Sequence, residues 1–264
     1  MHLKKIFSFI VVNKNDGYYR LIKKVIKRVL YGPDFQYHHY YKYFHKQNGI
    51  EIGGPSAFFS NTIKIYEKIK SLDGVNFSSS TVWEGKLEEG WHYRYEENKL
   101  GYQYICDAVE LGRIESEKYD FLLSCHNLEH IANPIQALIE WLRVIKPGGV
   151  ILIIVPNKAS NFDHNRNITS LEHLLDDFKN AVSEEDLTHL DEILALHDLA
   201  LDPLAGDIEN FKNRSLNNFQ NRCLHHHVFD LTLLRSIFGY LNIEQCLESQ
   251  TPSDYIVLGR KKNI

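Results

Sequence analysis

Short runs of consecutive apolar residues alternate along this chain with stretches whose apolar positions recur every three or four residues, the signature of buried strands alternating with amphipathic helices. Residues 119–157 show it most plainly. Phe121, Leu122 and Leu123 open through Ser124 into Cys125, His126, Asn127, Glu129 and His130, so a buried strand delivers polar groups to one edge of a sheet. Such edges are where open α/β sheets bind ligands. Asn133 is a good N-cap with Pro134 at the first helical position, and Ile135, Leu138, Ile139 and Leu142 form one apolar stripe. Pro147, Gly148 and Gly149 stop that helix. The unbroken apolar run of residues 150–155 then suits a strand covered on both faces, as in a parallel sheet.

The same reading places a first strand at residues 50–52, a second before Asn76, and a third at residues 102–106. Leu231, Leu234, Ile237, Phe238 and Leu241 make a further helical stripe, and residues 243–247 and 255–258 read as a closing antiparallel pair, for seven strands in all. Residues 158–228 interrupt this order, and connections beyond about 12–15 residues are usually functional. Thr169 with Glu172 and Ser183 with Asp186 have capping-box spacing, predicting helices over residues 169–182 and 183–199. Leu171, Leu174, Leu175 and Phe178, then Leu187, Leu190, Ile193, Leu194 and Leu196, give both a buried face, and Glu184, Glu185 and Glu192 read as a solvated one.

Composition narrows the class. With 264 residues, 44% of them hydrophobic, the chain can bury the core of one large α/β domain. A net charge of −4 and a pI near 6.4 give no field for nucleic acid. Basic residues cluster only early: Lys23, Lys24, Lys27 and Arg28 interleave with apolar positions, so residues 18–30 read as a basic amphipathic helix, packed on the domain or making weak contact with a membrane surface. Residues 1–46 form an N-terminal basic helical extension and residues 47–264 the main domain on this reading. The early apolar run lacks a small-residue cleavage site, and no stretch approaches the roughly 20 apolar residues of a membrane-spanning helix. Cys106, Cys125, Cys223 and Cys246 show no paired spacing, which fits a reducing cytoplasm.

Residues 119–157 follow the order YD, S-x-H-x-LEH, P-x-x-A-L-x-E-x-x-R-V and KPGG, followed by an apolar strand. That pattern resembles the fourth-to-fifth-strand segment of class I S-adenosylmethionine-dependent methyltransferases of the type 11 kind. The resemblance implies a Rossmann-like seven-stranded sheet with flanking helices and S-adenosyl-L-methionine as cofactor, with 158–228 as a helical insertion, a lid over the acceptor site. In GIEIGGPS, Glu51 and Gly53 match the family's acidic strand end and glycine loop, while Pro55 and Ala57 stand at its later glycine positions. Glu51 would then hold the amino-acid end of the cofactor, directly or through water, with Gly53, Gly54 and Pro55 beside it. The ribose partner is Asn76, Glu84 or Asp73, and Asp107 with Ala108, in a D-A-x-x-L run, would meet the adenine. The insertion's DHNR, EDLTHL and RCLHHHVFD segments are similar to bacterial methyltransferases that accompany glycosyltransferases, implying a sugar or surface-glycan acceptor.

Methyl transfer is an in-line displacement, and a hydroxyl acceptor also needs its proton removed. Among the 14 histidines, His126 is the first choice as base from its strand-edge position, followed by His227 and His164. His130, Asp163, Arg166, Arg222, His225 and His226 are the expected acceptor-binding groups because they crowd the insertion's mouths. No metal is expected: His189 and His197 lie about 12 Å apart along one helix, and consecutive histidines diverge. A site, if built, would join one of His225, His226 or His227 to Asp163 or His164. Two other classes fit parts of the pattern, a methyltransferase fold serving only as a scaffold and a nicotinamide-dependent oxidoreductase.

Overall fold

The computed structural model describes residues 37–263. The expected basic helix at residues 18–30 lies outside them. Ten strands form: β1 (Asn48–Ile52), β2 (Ser71–Asn76), β3 (Ser80–Thr81), β4 (Gly85–Lys86), β5 (Gly90–Glu96), β6 (Lys99–Ile105), β7 (Tyr119–Cys125), β8 (Ile145–Pro156), β9 (Ile243–Gln250) and β10 (Asp254–Lys261). Eight make one sheet in the order β5-β6-β2-β1-β7-β8-β10-β9, parallel from β6 to β8. β10 and β9 close it as the expected antiparallel pair. The seven predicted strands thus become eight. β5, running antiparallel to β6, is the addition, and its alternation was present in the sequence: Tyr93 and Tyr95 are buried while Trp91 and Arg94 are exposed. β3 and β4 form a separate ribbon after β2.

Among the described residues there are six α-helices: α1 (Pro134–Val144), α2 (Leu171–Lys179), α3 (Leu190–Leu196), α4 (Ile208–Leu216), α5 (Asn218–Asn221) and α6 (Leu231–Tyr240). α1 starts as predicted, with the Asn133 side chain accepting from the Gln136 amide at 3.1 Å. Period-two alternation along β8 divides the core. Ile151, Ile153 and Val155 face the layer of α1, α2 and α6, whereas Leu152 and Ile154 face the opposite layer. That second layer carries no α-helix among the described residues. Tyr40, Phe44, Phe59, Ile63 and Tyr66 cover the sheet there from one 3-10 turn, one π turn and the chain that follows it.

Within the insertion the predicted caps shift. Ser170, not Thr169, caps α2 by accepting from the His173 amide at 3.1 Å, because the Thr169 hydroxyl accepts from the Val228 amide at 3.0 Å. The helix expected from Ser183 begins only at Leu190. Residues 183–189 turn instead, and Glu184, expected on a solvated face, is 5% exposed and accepts from the Ala132 amide at 2.9 Å. A buried acceptor for an α1 approach amide outweighs the local helix preference. α4 and α5 lie where the sequence showed no clear periodicity and pack through Phe211 against Ile193, Ala205 and Leu224.

Candidate active site

A cavity of about 660 Å³ opens at the carboxyl ends of the parallel strands, bounded by the insertion on its far side. Gly53, Pro55 and Ser56 line it after β1, Asn76 at the end of β2, Cys106 and Ala108 after β6, and His126, Asn127, Glu129 and His130 after β7. Glu84 and Trp83 reach it from the β3–β4 ribbon, and Phe162, Cys223 and His225 from the insertion.

Glu51 corrects the sequence reading. It is 0% exposed and lies behind the glycine loop, not on the cavity wall. One carboxylate oxygen accepts from Tyr66 at 2.5 Å and Tyr93 at 2.7 Å, the other from the Ser56 amide at 3.0 Å. Burial raises its pKa to about 7, against the lowering effect of those donors. Its work is to hold the loop: a Cβ on Gly54 would fall 2.3 Å from the Glu51 carboxyl carbon, and Gly53, at φ 77°, presses against the Asn127 carboxamide.

Asn76 is at the cavity as expected, its carboxamide nitrogen donating to the Gly54 carbonyl at 3.0 Å. Glu84 also lines the wall, and burial raises its pKa. Asp73 does not reach it, since its carboxylate accepts from the Tyr102 amide and the Tyr119 hydroxyl inside the sheet. Asp107 is drawn aside: the Arg222 guanidinium donates to it at 2.8 Å, leaving Cys106 and Ala108 to line that wall. Arg222 also pairs with Glu184 and stacks over Phe77, so it is a tie between insertion and sheet rather than a free acceptor-binding group.

At the β7 edge the chain turns sharply through His126, at φ 48° in the left-handed region. Its Nε2 lies 2.8 Å from Asp254 Oδ1, and Asp254 in turn accepts from Thr251 at 2.8 Å and Ser253 at 2.5 Å. Burial pulls the His126 pKa down, but the Asp254 bond and the charge of Glu129 outweigh it, so the net shift is upward. Three residues on, Glu129 is 2% exposed with no hydrogen-bond partner on either carboxylate oxygen, and Asn127 Oδ1 also lacks one. Burial raises the Glu129 pKa.

The histidines of the insertion's end divide. His130 and His225 reach the cavity with rings 4.5 Å apart; His130 Nδ1 donates to the Leu224 carbonyl at 3.2 Å, and His225 Nδ1 meets Asp163 at 2.5 Å. Burial holds the His130 pKa well below its ordinary value. Asp163 would be raised by burial, yet His225 and Arg166 hold it at about 2. Arg166, expected to bind acceptor, is 2% exposed and bonded to Asp163, Glu192 and the His225 and His226 carbonyls. His226 faces Asn218 and Glu184. His227, a candidate base, lies off the cavity wall with its Nε2 3.1 Å from the Ala132 carbonyl, beside His173 and His189. His164, the other candidate, pairs with Asp198 at 3.0 Å and is also off the wall. Two groups of the site lie outside the sequence expectation, Glu129 on the cavity wall and Asp254 behind His126. Asp254 carried no signal beyond its place before the last strand, and Glu129 was visible in LEH but had no role.

Residues 57–153 match the family model for a methyltransferase domain. The matched residues run from the loop after β1 into β8, within the mostly parallel, Rossmann-like sheet. Among curated proteins, the chain is 30% identical over 63 residues to the ubiquinone biosynthesis O-methyltransferase of Parvibaculum lavamentivorans, a match spanning 24% of this chain and 25% of that protein. A solved S-adenosylmethionine-dependent methyltransferase from Aquifex aeolicus aligns over 92% of this chain and 97% of its own at 12% identity, TM-score 0.47. The 1,6-didemethyltoxoflavin-N1-methyltransferase of Burkholderia thailandensis, solved with its substrate and S-adenosylhomocysteine, aligns over 87% and 76% at 10% identity, TM-score 0.47.

Proposed function

We propose that the protein transfers a methyl group from S-adenosyl-L-methionine to an oxygen of a polar, carbohydrate-type small-molecule or glycan acceptor. The observation that carries this is the His126–Asp254 pair at the mouth of a cavity whose one wall is a glycine loop and whose other is the insertion. The cofactor, when bound, supplies an electrophilic methyl on sulfonium. Gly53, Pro55, Asn76, Glu84 and Ala108 make the wall that would hold it, and the unpartnered Asn127 carbonyl oxygen offers an acceptor to its polar end. Across the cavity, Trp83 and Phe162 with Glu129, His130 and His225 combine aromatic faces with polar groups, a lining that suits a hydroxylated ring.

With the Nε2 proton of His126 donated to Asp254, Nδ1 keeps the lone pair. An acceptor hydroxyl aligned with that methyl would give up its proton to His126 Nδ1 as its oxygen becomes methylated. Asp254 orients the ring, and the charges of Asp254 and Glu129 favour the imidazolium so formed. Four free cysteines agree with a cytoplasmic setting, and among the described residues no helix is long and apolar enough to cross a membrane. The test is calorimetry with S-adenosylmethionine and S-adenosylhomocysteine, followed by mass spectrometry of hydroxylated sugars incubated with enzyme and cofactor. Micromolar binding and a gain of one methyl on oxygen are expected; no binding of either cofactor refutes the reading and favours a scaffold.

A further inference from the structure

We propose that Glu129, His130 and His225 hold a divalent transition-metal ion on the acceptor side of the cavity. Their ligand atoms lie within 4.8 Å of one another, and all three residues line the cavity. Ligands at about 2.1 Å on one ion stand roughly 3.0–3.5 Å apart, so small side-chain rotations close the set.

The tautomers already suit a metal. His130 Nδ1 faces the Leu224 carbonyl, which can only accept, so the proton sits on Nδ1 and the lone pair on Nε2. His225 Nδ1 faces the Asp163 carboxylate, held in place by Arg166, and its Nε2 is likewise left basic. A carbonyl or carboxylate on the far nitrogen is the usual support of a metal-bound imidazole. Glu129 supplies the second, independent observation. It is 2% exposed, both its oxygens lack a partner, and a buried carboxylate left so is costly unless a cation meets it. Two imidazoles and one carboxylate select zinc, manganese, iron or cobalt over magnesium, and leave coordination positions open toward the cavity.

A second group, His173, His189 and His227, also brings three ligand atoms together. There His173 Nε2 and His189 Nε2 are 3.0 Å apart and bonded to each other, so those two rings already satisfy one another without an ion. That group also lies off the cavity wall, away from the acceptor side. Metal binding at Glu129, His130 and His225 stands independently of the methyl-transfer reading. Its use, to bind an acceptor hydroxyl and lower its pKa beside His126, rests on that reading.

The experiment titrates EDTA-treated, dialysed full-length protein with Zn²⁺ by calorimetry, and with Co²⁺ by visible absorption. One equivalent is expected, with Glu129→Gln and His225→Gln each weakening it at least tenfold. Asp163→Asn should weaken it about 10–100-fold through His225. S-adenosylhomocysteine titration of the same variants reads the cofactor wall separately, and unchanged affinity there shows that the fold is intact. Absence of Zn²⁺ and Co²⁺ binding overturns the proposal, as does unchanged affinity in both ligand variants. Loss of the site in His173→Gln but not in Glu129→Gln also overturns it by moving the metal to the other histidines. Metal binding without cofactor binding refutes methyl transfer and leaves the metal site standing.

Discussion

Glu51→Gln should make the stability of this protein less sensitive to pH, and the structure sets the size of the effect. The Glu51 pKa is raised from 4.5 to about 7 by complete burial. Between those values the folded chain keeps a proton that the unfolded chain has released. Stability from this group is therefore fully present below about pH 4.5 and is lost as pH rises through about 7. Each pKa unit is worth about 1.4 kcal/mol, which gives about 3 kcal/mol over the full window and about 2–3 kcal/mol between pH 5 and pH 8. Glutamine is the neutral counterpart of the protonated acid: its carbonyl oxygen can accept from Tyr66 and Tyr93, while its amide nitrogen cannot accept and so forfeits the Ser56 amide bond at every pH. Urea unfolding of both proteins at unit pH steps from 5 to 8 measures the difference, which cancels the titration of other groups. The lost Ser56 bond lowers the variant's stability by an amount that does not change with pH, and the stability of the variant relative to the wild type should rise by about 2–3 kcal/mol between pH 5 and pH 8. A difference that stays constant with pH, or changes in the opposite sense, refutes the assignment of Glu51 as a buried acid held near neutrality.

Gly54→Ala places a methyl 2.3 Å from the Glu51 carboxyl carbon and 2.4 Å from the Tyr93 oxygen; thermal melting should show a loss of about 1–3 kcal/mol, and calorimetry a weaker S-adenosylhomocysteine affinity. Asp254→Asn removes the carboxylate charge that helps raise the His126 pKa, so turnover should fall about 100-fold or more with the acid limb of the pH–rate profile shifted downward. An unshifted limb would count against His126 as the base. Arg166→Met strips Asp163 of its guanidinium in a buried setting and should cost about 3–5 kcal/mol in denaturant unfolding; a loss confined to acceptor KM would instead restore Arg166 to the binding role that its sequence position suggested.

The strands and α1 were legible because their signals are local. The apolar run of residues 150–155 becomes the centre of β8, and Asn133 caps α1 through its own side chain. Where reading failed, a distant group had taken the residue. Thr169 loses its capping role to the Val228 amide, and Ser183 opens no helix because Glu184 is pulled inward to the Ala132 amide. β5 lies outside the expected strands for another reason: its alternation of Trp91, Tyr93 and Tyr95 is too short for pattern alone to separate it from a loop.

Site residues divide along the same line. By itself the sequence determined that polar groups gather at the carboxyl edge of a parallel sheet, since strand period and chain order alone place Gly53, Asn76, Ala108, His126 and His130 there. Only the tertiary structure decided which charges face the cavity and which face each other. Glu51, Asp163, Arg166 and Arg222 are as polar in sequence as Glu129, yet they are bonded to protein partners, while Glu129 keeps both oxygens unpartnered. A buried charge is stable only with a partner, and partners far apart in the chain, such as Asp163 for His225 and Asp254 for His126, meet only when the fold brings them together.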